Sequence, residues 1–468
     1  MPRHPLDFGA VFWSYIQGKS VMLPVLSGIA AIIVLIVLIV YCKLHPFVAL
    51  IISSLGLGLV NGLGTEKTVK SFTTGFGSQL STTGIVIGLG AIIGGMLVSS
   101  GGAERIANVI VGKSKKALIP LAVGLVALII ELPNLFEVTF VLLIPIVFSV
   151  AKRTHTSALY VAIPMAAGMM TAHGLLPPGP ATVIGAGAIG VDLGLVSMIG
   201  IVICIPVFAA GVWLFPKLMQ RYYLRYQVSD GSEYATKDDD LAQAPGIVKS
   251  LPSVLLAPVL LIIGTIGKAV FSKGSVGYVI TQFFGNTVVA LLLSALYALI
   301  FLGLGSGMTA KKTLSQSKTS LKGVVNVLLI IGAGGGLKEM LQSTGLSDQI
   351  ATTTAKWAIP TVLLAWLIAA LFRVALGSGT VAVAAAAGIV APMVAQADDL
   401  HKALAVLAIA VGAMIFSHVN DGAFWLFQEY LDMTVPQTLK TWSFLVTVQS
   451  VVGLIALLLV DAVIGVVV

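Results

Sequence analysis

Two carboxylic acids set inside an apolar run could carry protons. Residues 127–145 read ALIIELPNLFEVTFVLLIP, with Glu131 and Glu137 on either side of Pro133 and Asn134. An ionised carboxylate at mid-bilayer costs about 2.5–3.5 kcal/mol on insertion scales, so a chain that keeps two there uses them or pairs them. Glu137 follows a helix-breaking pair and heads the next apolar stretch. There it can accept from the free N–H groups of a helix start, or hold a proton. An anion docking a few ångströms away would repel the ionised carboxylate, so anion and proton would each favour the other's binding. Glu137 is therefore the preferred proton carrier, with simple helix capping as the alternative. Glu131 is a second coupling group or a structural partner.

The other polar groups within apolar sequence fall at similar interruptions. Arg373 precedes GSGT, where Ser378, Gly379 and Thr380 offer hydroxyls and backbone donors. A charge at that depth needs a partner: a substrate carboxylate, Asp421 or Glu131. His173 lies in TAHGLLPPGP, and His418, Asn420 and Asp421 lie in SHVNDG. The expected substrate-binding set is Asn134, His173, Arg373, Ser378, Gly379, Thr380, His418, Asn420 and Asp421. Glu137 and Glu131 are the proton-coupling candidates. No metal-ligating set and no catalytic set is apparent.

What positions these residues is a membrane fold. The 468 residues are 57% hydrophobic and 10% charged, and the apolar runs are long rather than alternating. That reads as an all-α polytopic membrane protein and excludes a β-barrel. The net charge of +8 is spread over loops between spans, as in a positive-inside arrangement, rather than gathered for nucleic acid. The chain also repeats. GLGAIIGGMLVSSGGAERIA (88–107) lies over GAGGGLKEMLQSTGLSDQIA (332–351) without a gap, and ALYVAIPMAAGMMTAH (158–173) over ALAVLAIAVGAMIFSH (403–418).

The organisation expected is a first repeat at 1–216, a cytoplasmic linker at 217–249 and a second repeat at 250–468. Each repeat would hold about five crossings, an odd number, so the two insert with inverted topology. Each would also hold one re-entrant hairpin (about 117–151 and 357–395) and one broken helix (about 156–190 and 403–430). Two short full crossings remain the alternative to each hairpin. Broken helices leave backbone groups that lipid cannot satisfy, so they should line an enclosed cavity, and half-helix N-termini there suit an anion.

The chain has no Walker A sequence, no HExxH and no CxxC, and no nucleophile–base pair stands out. The reading is a secondary transporter rather than an enzyme, needing no cofactor beyond a proton gradient. It would be multi-pass in a membrane, with a small organic anion and the bilayer as partners. A sodium-coupled transporter of the same fold and a channel-like pore are the rivals.

NLFEVTFVLLIP, GSGTVAVAAAAG, SHVNDGAFWLFQEY and QTLKTW closely resemble the gluconate:proton symporter family, the gluconate permeases of the wider ion transporter superfamily. The resemblance runs from about residue 22 over essentially the whole chain. It implies proton-driven uptake of gluconate or a related sugar acid or hydroxy-carboxylate, with D-serine or another small polar acid as the alternative. It further implies a scaffold domain, a mobile transport domain, a homodimer and elevator-type alternating access. The sequence departs from the family at three places. Pro177–Pro180 reads PPGP where PPHPGP is usual, Thr139 stands where glycine is common, and Gly379 stands where alanine is common.

Overall fold

The computed structural model describes residues 22–112, 114, 118–134, 136–223, 244–345, 359–419 and 421–467. Every regular element among them is helical. Seven helices are long and apolar enough to cross a membrane: Thr65–Ser99, Ala158–Ile189, Leu193–Met219, Ile247–Lys268, Thr287–Ser306, Ala310–Ser343 and Val435–Ile464. The all-α membrane class expected from composition is the class observed. Asn420 and most of the linker at 217–249 lie outside the described residues.

The chain opens with α1 (Met22–Val40), α2 (Pro46–Val60), the long α3 (Thr65–Ser99) and the short α4 (Gly102–Gly112). α5 (Ile119–Glu131) and α6 (Phe136–Thr154) follow, with a turn at residues 132–134 after α5. α7 (Ala158–Leu175) and α8 (Pro180–Ile189) are separated by residues 176–179. α9 (Leu193–Ala209) passes through a π turn at Ala210–Leu214 into α10 (Phe215–Tyr223).

After the linker come α11 (Ile247–Val270), α12 (Val276–Phe284) and α13 (Thr287–Tyr297), then a second long helix, α14 (Ala310–Ser343). α15 (Thr361–Leu376) and α16 (Gly379–Met393) meet at Gly377 and Ser378. α17 (Asp399–Gly412) and α18 (Gly422–Tyr430) are separated by residues 413–421. α19 (Val435–Thr438) runs through a π turn at Leu439–Ser443 into α20 (Phe444–Val467).

α3 and α14 form the most extensive helix pair, and glycine permits it. A Cβ on Gly75 would sit 2.3 Å from the Gly335 carbonyl oxygen, and one on Gly335 would sit 2.5 Å from that of Gly75. The backbones touch there, as small residues allow in lipid. The first halves of both helices are polar, and only one face of each is packed. Ser71, Gln79 and Thr83 are buried, and Ser343 donates to Ser71 at 2.9 Å.

The same device joins α5 to α7 and α15 to α17. A Cβ on Gly168 would sit 2.0 Å from the Gly124 carbonyl oxygen, and one on Gly412 would sit 2.5 Å from that of Trp366. One apolar run, 279–305, proves to be two helices. Asn286 ends the first and caps the second, its side chain accepting from Val288 N–H at 3.0 Å.

Candidate functional site

α5 has 13 residues and α15 has 16. At 1.5 Å per residue they reach about 20 and 24 Å, short of the roughly 30 Å hydrocarbon core. Each ends at a polar turn from which the chain doubles back as α6 or α16. At the first turn, Asn134 is buried, and its side-chain amide donates to the Ile130 carbonyl at 2.6 Å, closing the end of α5. Its Oδ1 presses on α3 at Gly94, where a Cβ would come within 2.4 Å. Only glycine lets α3 approach this tip so closely.

The two acids part company here. Glu131, in the last turn of α5, is fully buried, and its Oε1 lies 2.9 Å from Nδ1 of His173. The buried Thr139 hydroxyl stands beside the same carboxyl. Glu137, in the first turn of α6, is exposed. His173 lies in the last turn of α7, just before the break at 176–179. Glu137 and Arg373 are both near enough to act on its charge, so groups from both hairpins and the first break share one region.

The second tip is built around Arg373 and Asp421. Arg373 sits in the last turn of α15, where a cation suits the helix C-terminus, and donates to the Gly377 carbonyl. Its Nη2 lies 2.5 Å from Asp421 Oδ2, with side-chain exposures of only 4% and 12%, so the pair is largely dry. The Arg373 Nε has no partner among the described residues. Of the three partners the sequence left open, Asp421 is the one found.

Asp421 also caps α18, accepting from Ala423 N–H at 3.3 Å, and receives a hydrogen bond from the Ser417 hydroxyl. Ser378 caps α16, accepting from Val381 N–H at 3.4 Å. Gly379 and Thr380, in the first turn of α16, are partly buried, and a Cβ on Gly379 would stand 3.8 Å from Arg373 Nη1. The His418 Nε2 lies 3.1 Å from the Val374 carbonyl oxygen.

Crosswise packing brings the two tips and two breaks together. α16 of the second hairpin packs on α8 beyond the first break, and α6 of the first hairpin packs on α18 beyond the second. The breaks touch as well: a Cβ on Gly174 would meet the Met414 sulfur at 2.5 Å. The long helices hold α8 from behind. Gln79 of α3 donates to the Ile184 carbonyl at 3.3 Å, and Lys338 of α14 donates to that of Ala188. With its C-terminal carbonyls satisfied, α8 points its N-terminus, capped by Gly179, into the same region.

Trp442, Ser417 and Gln449 were not among the residues expected at the site, although Ser417 opens the SHVNDG interruption. Trp442 is fully buried; its ring centroid is 5.2 Å from that of Phe136 at the head of α6, and its indole N–H donates to Ser417 Oγ at 2.7 Å. Gln449 of α20 donates to both the Ala167 carbonyl and the Thr171 hydroxyl at 2.9 Å. A continuous path of contacts therefore runs from the first tip to the second: Phe136, Trp442, Ser417, Asp421, Arg373. The only advance signal for Trp442 was its place at the end of QTLKTW.

The chain matches the GntP family permease profile over residues 23–463. It is 38% identical to the gluconate permease of Pseudomonas aeruginosa over 438 residues, covering 94% of this chain and 97% of that one. It is 34% identical to a high-affinity gluconate transporter of Escherichia coli, covering 94% and 100%. It is also 34% identical to the D-serine transporter DsdX of Escherichia coli, covering 92% and 96%. Its fold is similar to the Alcanivorax borkumensis YdaH transporter (TM-score 0.65, 17% identity, 90% of this chain and 98% of that chain). It is also similar to Neisseria gonorrhoeae MtrF (TM-score 0.63, 15% identity, 85% of each). The helical membrane architecture and the whole-chain match lead to one conclusion: this chain is a multi-pass membrane transporter belonging to the GntP permease family.

Proposed function

We propose that this transporter takes up gluconate or a closely related sugar acid together with protons, across a bacterial cytoplasmic membrane. The observation that carries the reading is the meeting of Arg373, Asp421 and the Glu131–His173 pair where two polar tips and two broken helices converge. Arg373 is the anion's counter-charge: its buried, unpartnered Nε leaves donor capacity beyond what Asp421 and Gly377 take up. Asn134, Ser378, Thr380, His418 and Asp421 line the site, and Gly379 leaves room beside the guanidinium. The N-termini of α8 and α16, which no carboxylate caps, add partial positive charge.

The buried Glu131–His173 pair is the proton site. A carboxyl and an imidazole 2.9 Å apart share a proton readily, and the Thr139 hydroxyl stands beside the carboxyl. Exposed Glu137 exchanges protons with the solvent on the way to it. An arriving anion brings negative charge beside these acids and favours their protonation, and a bound proton in turn favours the anion.

In this reading residues 1–216 and 250–468 are inverted repeats joined by a cytoplasmic linker. The helices that begin at Thr65 and Ala310 and end at Ser99 and Ser343, each followed by a hairpin and a broken helix, support it. Elevator-type exchange of the site between the two sides, in a homodimer, completes the proposal. Uptake of labelled gluconate into proteoliposomes tests it. An inwardly directed proton gradient should drive accumulation above equilibrium, and a sodium gradient alone should not. The D-serine transporter relative favours a second reading, uptake of a small amino acid. Competition of labelled gluconate by unlabelled D-serine distinguishes the two.

A further inference from the structure

Trp442 occupies a π turn, Leu439–Ser443, and Thr441, Trp442 and Ser443 are all buried. A π turn shifts the side-chain register of the helix that carries it and often marks a functional position. Here it turns two donors onto one residue. The indole N–H donates to Ser417 Oγ at 2.7 Å, and the Ser443 hydroxyl donates to the Ser417 carbonyl. Ser417 in turn donates its hydroxyl to Asp421 Oδ2, the oxygen that also receives Arg373 Nη2.

The polarity of this chain is fixed at its start. An indole N–H can only donate, so Ser417 Oγ must accept from it. The hydroxyl then has one hydrogen left to give, and Asp421 receives it. Removing the indole N–H frees the Ser417 hydroxyl to rotate, and Asp421 loses a directed donor in a buried site, where such donors matter most.

We propose that Trp442 is a positioning residue for substrate: its indole N–H locks Ser417 as a donor to Asp421, which holds the Arg373 guanidinium at the second hairpin tip. The same indole packs on Phe136, one residue before Glu137, so the anion and proton sides of the centre share this side chain. This inference rests on Arg373 being the counter-charge for the transported anion.

The test is uptake of gluconate, with D-serine as a parallel probe, by the full-length protein in proteoliposomes. Trp442→Phe keeps an aromatic ring against Phe136 and Phe427 but removes the N–H; Ser417→Ala removes the relay itself. Each should raise KM about fivefold, the scale of one hydrogen bond, with the maximal rate within about twofold of wild type. The double variant should match either single one, because both cut the same chain. Phe136→Leu, which loses the ring contact but not the N–H, should leave KM near wild type.

A wild-type KM in Ser417→Ala, or multiplying effects in the double variant, overturns the proposal. If Trp442→Phe fails to fold, Ser417→Ala decides alone. Arg373→Gln separates this inference from the reading beneath it. Normal uptake in Arg373→Gln removes both. Loss of uptake there, with unchanged KM in Trp442→Phe and Ser417→Ala, removes the relay only.

Discussion

Glu131 Oε1 lies 2.9 Å from His173 Nδ1, an acid at the end of one hairpin arm against an imidazole at the end of a broken helix. The carboxyl is fully buried and the imidazole is partly buried, 19% exposed. Breaking such a pair from one side strands the other group in a dry site, at about 3–5 kcal/mol. His173→Ala should therefore lower unfolding stability by about that much. A double replacement, Glu131→Leu with His173→Leu, should recover most of the loss without recovering transport. Denaturation of the purified protein in detergent, beside uptake, checks both.

Two glycines predict opposite outcomes. A methyl on Gly168 would come 2.0 Å from the Gly124 carbonyl oxygen, which is backbone and cannot yield. Gly168→Ala should cost about 1–3 kcal/mol or more by forcing α5 and α7 apart. A methyl on Gly379 meets only Ala413 O at 3.5 Å and Arg373 Nη1 at 3.8 Å, both ordinary contacts. Gly379→Ala should leave stability within about 0.5 kcal/mol of wild type. Because the methyl fills space beside the guanidinium, it should still change KM by up to about tenfold, the scale of one methyl group in a pocket. Thermal denaturation and uptake kinetics of the two variants check this.

At the membrane surface, Asp192 caps α9 by accepting from Leu195 N–H at 3.0 Å and pairs with Lys268 of α11 at 2.7 Å. Partial burial works to raise its carboxyl's affinity for a proton, but Lys268 and the Leu195 N–H outweigh it and hold the group below the usual 3.8. Stability from a carboxylate held low is fully present above its unfolded value and is lost as pH falls through the folded one. Asp192→Asn keeps the cap and removes the charge. It should cost up to about 1 kcal/mol at neutral pH, given that both partners are well exposed. The difference from wild type should hold down to about pH 4 and close below it, as thermal denaturation across that range will show.

The sequence carried the interruptions plainly, because proline, glycine and polar residues stand out against apolar runs. Pro133 and Asn134, GSGT, and the PPGP segment all fall at helix ends. Partnerships were harder to read. Arg373 had three possible partners, and nothing local to it points to Asp421, which lies 48 positions away. Glu131 and Glu137 looked alike as letters. Only the fold buries one against His173 and leaves the other exposed, which moves the weight of the proposed proton chemistry onto Glu131.

Trp442 was invisible for a different reason. A tryptophan in an apolar stretch reads as packing, and the π turn that aims its N–H has no sequence signature of its own. The polar halves of α3 and α14 were hard to read because their apolar content is low; each packs one face on the apolar half of the other helix, as Gly75 on Gly335 and Gly95 on Ser320 show.

Glu131→Gln in proteoliposomes gives the sharpest reading of the whole account, since it changes one buried atom and keeps the shape of the side chain. With an inwardly directed proton gradient, wild-type protein should concentrate labelled gluconate, and Glu131→Gln should not. The variant should still exchange internal for external gluconate, because the anion's contacts at Arg373 remain. Gradient-driven accumulation by Glu131→Gln at the wild-type level would contradict the account.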